Sequence, residues 1–426
     1  MAAPDPLVPR QSPMIKSALS APAEAPRTDW WMVMLALALG GLAAFHHLKL
    51  PPVLPLLLER YGYDRTVAGG YMAIYAVVGL AFSALIGVVV ERTGVRRALI
   101  LAIFFFLLGS GLTMAVPEIA ALVLAARGIE GLGFTIVAVI APVLATSAAT
   151  PRHVAMAIAI FAAWIPLGQL SAAILAIPIV DAGLWRPLWW IGIGLTLVIG
   201  VIAWCKTGHI APRAPQSGGL SITRLQWGGL ILNAAIFTLW STGIFAFFTW
   251  LPQYLVEQRG LTLAESQIPY ALPVLCILIC SIASGQLLRK GVPYTTLIVL
   301  GLGLQAAVWF AIPWLNHPVI GLLAIALYGV GSGITPTGLF AGPTILLGQA
   351  KARSTAYGVI MSGRNVGVLL GPVLLPPIHD WLESWEATGV VFGGITALGM
   401  VGAVALKLVT KRIRAAESAL AHTISR

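Results

Sequence analysis

The feature that most constrains this chain is a run of apolar stretches, each about twenty residues or longer, recurring twelve times between residues 30 and 408. At about 1.5 Å per residue, a helix of that length crosses the roughly 30 Å hydrocarbon core of a bilayer. The pattern therefore predicts an all-α membrane protein. The stretches fall at 30–58, 67–90, 98–116, 119–145, 154–180 and 184–204, then at 228–255, 266–288, 294–315, 319–347, 354–378 and 387–408. Only 10% of the 426 residues are charged and 58% are apolar, which excludes a soluble enzyme and a disordered chain alike. Three cysteines, Cys205, Cys276 and Cys280, lack metal-ligand spacing with histidine. No metal or cofactor is expected, and Cys276 and Cys280, one helical turn apart, read as small apolar filler.

The formal charge of +11 is a topology signal, not a nucleic-acid one. With the amino terminus inside, nineteen Lys and Arg residues fall on the cytoplasmic side and four, Arg60, Arg65, Arg186 and Arg259, on the other. That places both termini in the cytoplasm of a multi-pass protein of the cytoplasmic (inner) membrane, with anionic lipid headgroups as partners of the excess charge. Residues 1–29 are Pro- and Ala-rich without an apolar core, which predicts a disordered tail and not a cleaved signal. The Pro-, Gly- and Ser-containing segment 206–227 reads as a linker between an amino-terminal bundle, 30–205, and a carboxyl-terminal bundle, 228–408, with 409–426 as a second cytoplasmic tail.

The two sets of six repeat one another. Leu54-Pro55 recurs as Leu251-Pro252, Gly87 as Gly285, Gly131 and Gly133 as Gly329 and Gly331, Gly168 as Gly367, and Asp181 as Asp380, all at offsets of 197 to 199. One glycine match is cheap in a chain with 45 glycines. A steady offset across five of the six spans is not, and parallel six-span repeats put a site near the midplane between the halves.

Between the second and third spans stands Gly87-Val-Val-Val-Glu91-Arg92-Thr-Gly94-Val-Arg96-Arg97, and in the fourth Arg127-Gly-Ile-Glu130-Gly131-Leu-Gly133. These resemble the two signatures of the major facilitator superfamily, with Glu91 where the family usually has Asp and Val95 where a base is expected. The resemblance implies twelve transmembrane helices in two pseudo-symmetric six-helix bundles. It also implies a gating role for Gly87, Glu91, Arg92, Gly94, Arg96 and Arg97, with Glu91 facing the start of the eleventh span. The Gly-Pro element that antiporter branches carry in the fifth span is absent from Ile165-Pro166-Leu167-Gly168-Gln169, which speaks against a proton/drug antiporter. Leu48-Lys49 ahead of Pro55-Leu-Leu-Leu58, and Thr249-Trp250-Leu251-Pro252-Gln253-Tyr254-Leu255, resemble the cyanate and nitroimidazole permease branch, with lysine where that branch tends to have arginine. Gly363, Gly367 and Gly371-Pro372 in the eleventh span predict a close-packing face and a kink.

Ionisable residues inside spans cost about 2.5 to 3.5 kcal/mol each at the membrane centre and so mark a cavity. Four stand out, Lys49, Arg127, Glu130 and Arg364. Counted at about 1.5 Å per residue, Lys49 and Arg127 lie roughly 13 Å below the outer ends of their spans and Arg364 about 15 Å above the inner end of its own. Glu130, one turn along from Arg127, neutralises one cation. A surplus of two remains, and a water-filled cavity awaiting an anion explains it. Lys49, Arg127 and Arg364 are accordingly the candidate substrate ligands. Glu130 and His46 are the candidate proton carriers, since His46 precedes Lys49 by one turn and imidazole titrates near neutrality; His47 is expected to face elsewhere. Tyr75, Trp240 and Tyr328 complete a candidate wall.

The sequence thus predicts a secondary active transporter of a small organic or inorganic anion, working by alternating access and coupled to protons. Its rivals are an exporter of drugs or other apolar compounds, which would carry a cavity acid without surplus cations, and a membrane channel or sensor, which the repeat disfavours. No catalytic constellation of a membrane enzyme is present, and nothing points to nucleic acid.

Overall fold

The structure, a computed structural model, describes residues 27–150, 152–207, 222–348 and 354–424. The predicted tail at 1–26 and most of the predicted linker, 208–221, lie outside the described residues. Fourteen α-helices are described: α1 (Trp30–Leu48), α2 (Leu54–Tyr61), α3 (Arg65–Thr93), α4 (Val95–Ala115), α5 (Ala120–Ser147), α6 (Val154–Phe161), α7 (Trp164–Asp181) and α8 (Arg186–Lys206), then α9 (Arg224–Arg259), α10 (Leu263–Arg289), α11 (Tyr294–Phe310), α12 (Pro318–Leu347), α13 (Ser354–Leu382) and α14 (Trp385–Ile424). Eleven spans are long and apolar enough to cross a membrane, and α11, shorter at 17 residues, fills the ninth position. The chain is an all-helical membrane protein.

Boundaries follow local chemistry. Asp29 and Asp64 accept a hydrogen bond from the first turn of α1 and α3, and Thr223 with Gln226 and Thr262 with Glu265 form capping boxes that start α9 and α10. The first predicted span is two helices, because Pro51 and Pro52 bring no N–H to the ladder and force a single 3-10 turn between α1 and α2. The fifth is likewise split between α6 and α7, and α14 runs on as helix past Leu408 to Ile424.

The repeat is visible contact by contact. A side chain added at Gly168 would strike the Gly41 carbonyl, Ala44 and the Phe45 nitrogen, and one at Gly367 would strike the Thr238 carbonyl, Ser241 and the Thr242 nitrogen. Each partner is displaced by 197 residues from its counterpart. Gly133 lies against the Ala102 carbonyl and Phe106, and Gly331 against the Gly301 carbonyl and Gln305, each pair 199 apart. Gly363, Gly367 and Gly371 together let α13 approach the α9 backbone closely.

Within the first half α1 packs on α5, α7 and α8; within the second α9 packs on α12, α13 and α14. The halves meet where α3 lies on α13 and α7 on α10. Polar contacts that tie them include Arg65 to Glu257 at 2.6 Å, Gln267 Nε2 to the Pro52 carbonyl at 3.1 Å and Gln169 Nε2 to the Tyr270 hydroxyl at 3.2 Å. Arg65, Pro52, Glu257 and Gln267 all sit at the end of the bundle away from residues 27 and 424. Leu, Ile and Val side chains such as Val198, Ile231, Leu323 and Val401 are exposed around the outside, as a bilayer-facing surface requires.

Candidate functional site

The site begins with the broken end of α1. A helix leaves its last carbonyls without intrahelical donors, and Pro51 removes the N–H that would have reached His47. Arg127 of α5 supplies what is missing. Its Nη1 donates to the His46 carbonyl at 2.7 Å, its Nη2 to the His47 carbonyl at 2.8 Å and its Nε to the Tyr71 carbonyl at 3.3 Å. A cation at a helix carboxyl end is favourable through the macrodipole as well. Arg127 is completely buried, so its fork holds the break in α1 in place.

Glu130, one turn further along α5 and also completely buried, takes both neighbouring cations. Its Oε2 accepts from Arg127 Nη1 at 2.5 Å and from the Tyr75 hydroxyl at 2.8 Å; its Oε1 accepts from Lys49 Nζ at 2.9 Å and from the Ser110 hydroxyl. Lys49 is filled. An ammonium has three donors, and Lys49 places them on Glu130, Ser110 Oγ at 3.0 Å and His46 Nδ1 at 3.1 Å, with the Trp189 ring 4.6 Å away. The network sets the histidine tautomer too. His46 Nδ1 accepts from Lys49, so Nε2 carries the proton and donates to Thr196 Oγ1 at 2.8 Å.

This geometry keeps the expected surplus of two positive charges and divides it between two places, a sealed group and Arg364. Glu130 is shared between Lys49 and Arg127, so neither cation stands in a cavity with a free donor set, and Lys49 does not reach toward the outer interface. The sealed group carries a net charge of plus one. His46 is an acceptor from an ammonium 3.1 Å away. His47, expected to face elsewhere, lies against the same group: its ring stacks on Tyr75 at 4.4 Å and its Nε2 bonds the Met72 carbonyl.

Arg364 of α13 is the open cation. It is partly exposed, donates to Asn365 Oδ1 at 3.1 Å, and has its guanidinium 5.6 Å from the Phe245 ring. No carboxylate among the described residues forms an ion pair with it. Asn365 faces Gly79 of α3, which puts Arg364 where the halves meet. A stack of rings connects it to the sealed group, with Phe245 from the second half 5.9 Å from His47, and His47 against Tyr75. Charge at Glu130 and charge at Arg364 are thus separated by a few buried rings, where fields are weakly screened.

Of the remaining expected residues, Tyr75 belongs to the sealed group, while Trp240 and Tyr328 are buried in the second half. Tyr328 stacks on Phe247 at 3.7 Å, and its hydroxyl, Trp309 Nε1 and Thr396 Oγ1 gather around Gly243. These four positions are the repeat counterparts of Glu130, Ser110, Thr196 and His46, at offsets of 197 to 200, and Lys49 corresponds to Ala246. The second half brings the corresponding positions together with glycine, tryptophan, tyrosine and threonine, and without charge. Neither Trp240 nor Tyr328 is brought to Arg364 by any described contact. In the loop between α3 and α4, Gly94 has φ +81°, a conformation glycine adopts without strain. Arg92, Arg96 and Arg97 are exposed, with Arg96 over the Trp204 ring at 4.1 Å; the side chain of Glu91 lies outside the described residues. Gly87, to which the resemblance gives a gating role, meets no described atom within 4 Å.

Ser110, Thr196 and Trp189 completed the group unforeseen. Each is one polar or aromatic residue in an otherwise apolar span, a weak signal that only the offset to Trp309 and Thr396 could have strengthened. Arg65 and Glu257 stood at span ends, where a charge is unremarkable.

A model of the Major Facilitator Superfamily matches residues 31–349. A Haemophilus influenzae protein named "Putative metabolite transport protein" is 26% identical over 381 residues, covering 81% of this chain and 89% of its own. An Escherichia coli K12 protein named "Probable galactarate/D-glucarate transporter GarP" is 27% identical over 164 residues, 36% of this chain and 35% of its own. With paired bundles, matching contacts in both and a family model spanning about three-quarters of its length, the chain belongs to the Major Facilitator Superfamily and is a membrane transport protein, not an enzyme.

Proposed function

We propose that the chain is a proton-coupled transporter of a small anion across the cytoplasmic membrane, working by alternating access with both termini in the cytoplasm. Arg364 receives the anion and Glu130 carries the proton. The observation that supports this most is the contrast between cations: Lys49 and Arg127 are spent on Glu130 in a group with no exposed surface, while Arg364 is open and unpaired by any described carboxylate. An uncompensated guanidinium at mid-depth is costly, and an arriving anion removes that cost.

Coupling follows from the same arrangement. A proton on Glu130 cancels the charge that Lys49 and Arg127 share and leaves the buried group at plus two, a state an anion at Arg364 stabilises through the rings between them. The charged and titratable groups facing Glu130 are Lys49, Arg127, His46 and Tyr75. One proton with one monoanion is electroneutral, whereas a lone anion entering against 100 mV is opposed by about 2.3 kcal/mol. That the Escherichia coli relative is named for carboxylates supports an organic acid as cargo.

The test is uptake of labelled monocarboxylates, cyanate, nitrate and galactarate into proteoliposomes with an imposed pH gradient. Wild-type protein is expected to accumulate at least one of them and Arg364→Gln to lose that uptake by a hundredfold or more. Equal uptake by the two proteins would refute the anion role of Arg364. Flux of lipophilic cations without any anion flux would install the drug exporter instead.

A further inference from the structure

Resting on the anion reading above, we infer that the cargo is a monovalent aromatic acid, its carboxylate on Arg364 and its ring on the surface formed by Phe134 and Trp164. Lys49 has no donor left, and Arg127 spends its fork on the end of α1, Tyr71, Tyr75 and Glu130. A second carboxylate, as in a hexaric diacid, would enter with no cation to meet it. A single carboxylate takes the guanidinium edge in two parallel hydrogen bonds.

Aromatic rings run from that guanidinium into the first half. Phe245 lies beneath it, then His47, and Phe134 meets His47 at 5.4 Å and Tyr75 at 5.6 Å. Phe134 is nevertheless partly exposed, as is Trp164, 5.5 Å from it and tilted by 36°. His47 of α1, against which Phe134 packs, contacts Phe245 of the second half, so we place the open surface of Phe134 on the side where the halves meet. Three nearby hydroxyl groups already donate within the protein, Ser83 to the Gly79 carbonyl, Thr135 to Gly131 and Thr238 to Ala234 or Gly363, while Ser241 Oγ, one turn before Phe245 on α9, has no partner among the described residues. A sugar acid would bring hydroxyls into a space walled by rings, whereas an aromatic acid stacks there.

The experiment is calorimetric titration of the full chain in lipid nanodiscs with benzoate, acetate and galactarate, with empty nanodiscs subtracted. The inference predicts benzoate binding at least tenfold tighter than either acetate or galactarate. Arg364→Gln should abolish it, and Phe134→Leu, which keeps apolar volume but loses the ring, should lower the ratio of benzoate to acetate affinity several-fold. Benzoate no tighter than acetate, a ratio unmoved by Phe134→Leu, or galactarate binding tightest would overturn the aromatic class while leaving an Arg364-dependent anion site standing. Binding of all three unchanged in Arg364→Gln, or of none to the wild type, would overturn the anion reading itself.

Discussion

Removing the Glu130 charge leaves Lys49 and Arg127 fully buried with nothing between them, and breaking a buried ion pair from one side typically costs about 3–5 kcal/mol. Glu130→Gln should therefore lower the thermal unfolding midpoint markedly. Removing one cation as well, in Lys49→Met with Glu130→Gln, should restore part of the loss, because the pair then has one charge to bury instead of two. A double variant no more stable than Glu130→Gln would show that the carboxylate is not shared. At this scale the sequence disclosed which residues matter but not how they are divided. The spacing of Arg127 and Glu130 was legible as one helical turn. That Lys49 reaches the same carboxylate depends on α1 and α5 lying side by side, and that Arg127 is held by carbonyls depends on a helix break, neither of which residue spacing within a span reveals.

At the scale of elements, the closed end of the bundle is tied by Arg65 on α3 and Glu257 on α9, with Glu257 also accepting from Gln253 and from Trp385 Nε1 at 3.1 Å. This pair is partly exposed, so its static contribution is about 0–1 kcal/mol. Its effect lies in the balance between two conformers of similar energy, where small differences shift populations. Arg65→Gln should raise, by a few-fold, the labelling by an impermeant maleimide of a cysteine placed at buried Val53 in a background lacking Cys205, Cys276 and Cys280. Unchanged labelling would mean that this ion pair does not hold the end shut. The opposite end supplies a complementary prediction. Gly87 and its counterpart Gly285 meet no described atom within 4 Å in this conformer, so Gly87→Val should leave the unfolding midpoint nearly unchanged while reducing transport if that end closes during the cycle. A variant with full transport would remove the gating role the loop's resemblance implies. The helices themselves were well marked by hydropathy, and the turn at Pro117-Glu118 by its proline. The splits at Pro51-Pro52 and before Trp164 were not, since apolar residues continue across both.

Across the whole molecule, duplication with divergence accounts for the site. The glycine contacts that hold α7 on α1 recur where α13 lies on α9, so both halves are built alike. Their chemistry is not alike: Lys49 and Glu130 in the first half correspond to Ala246 and Tyr328 in the second, while Arg364 in the second corresponds to Ile165 in the first, 199 residues earlier. The repeat was legible as a constant offset, and with it the fold. The division of labour was not, because the four charges were read as one pool at one depth until the structure separated a sealed group from an open one. If proton and anion are handled by different halves, anion counterflow in proteoliposomes, measured with and without a pH gradient, should separate Glu130→Gln from Arg364→Gln. Glu130→Gln is expected to exchange anion across the membrane without responding to the gradient, and Arg364→Gln to support neither exchange nor gradient-driven uptake. Gradient-driven accumulation surviving in Glu130→Gln, or exchange surviving in Arg364→Gln, would contradict that division.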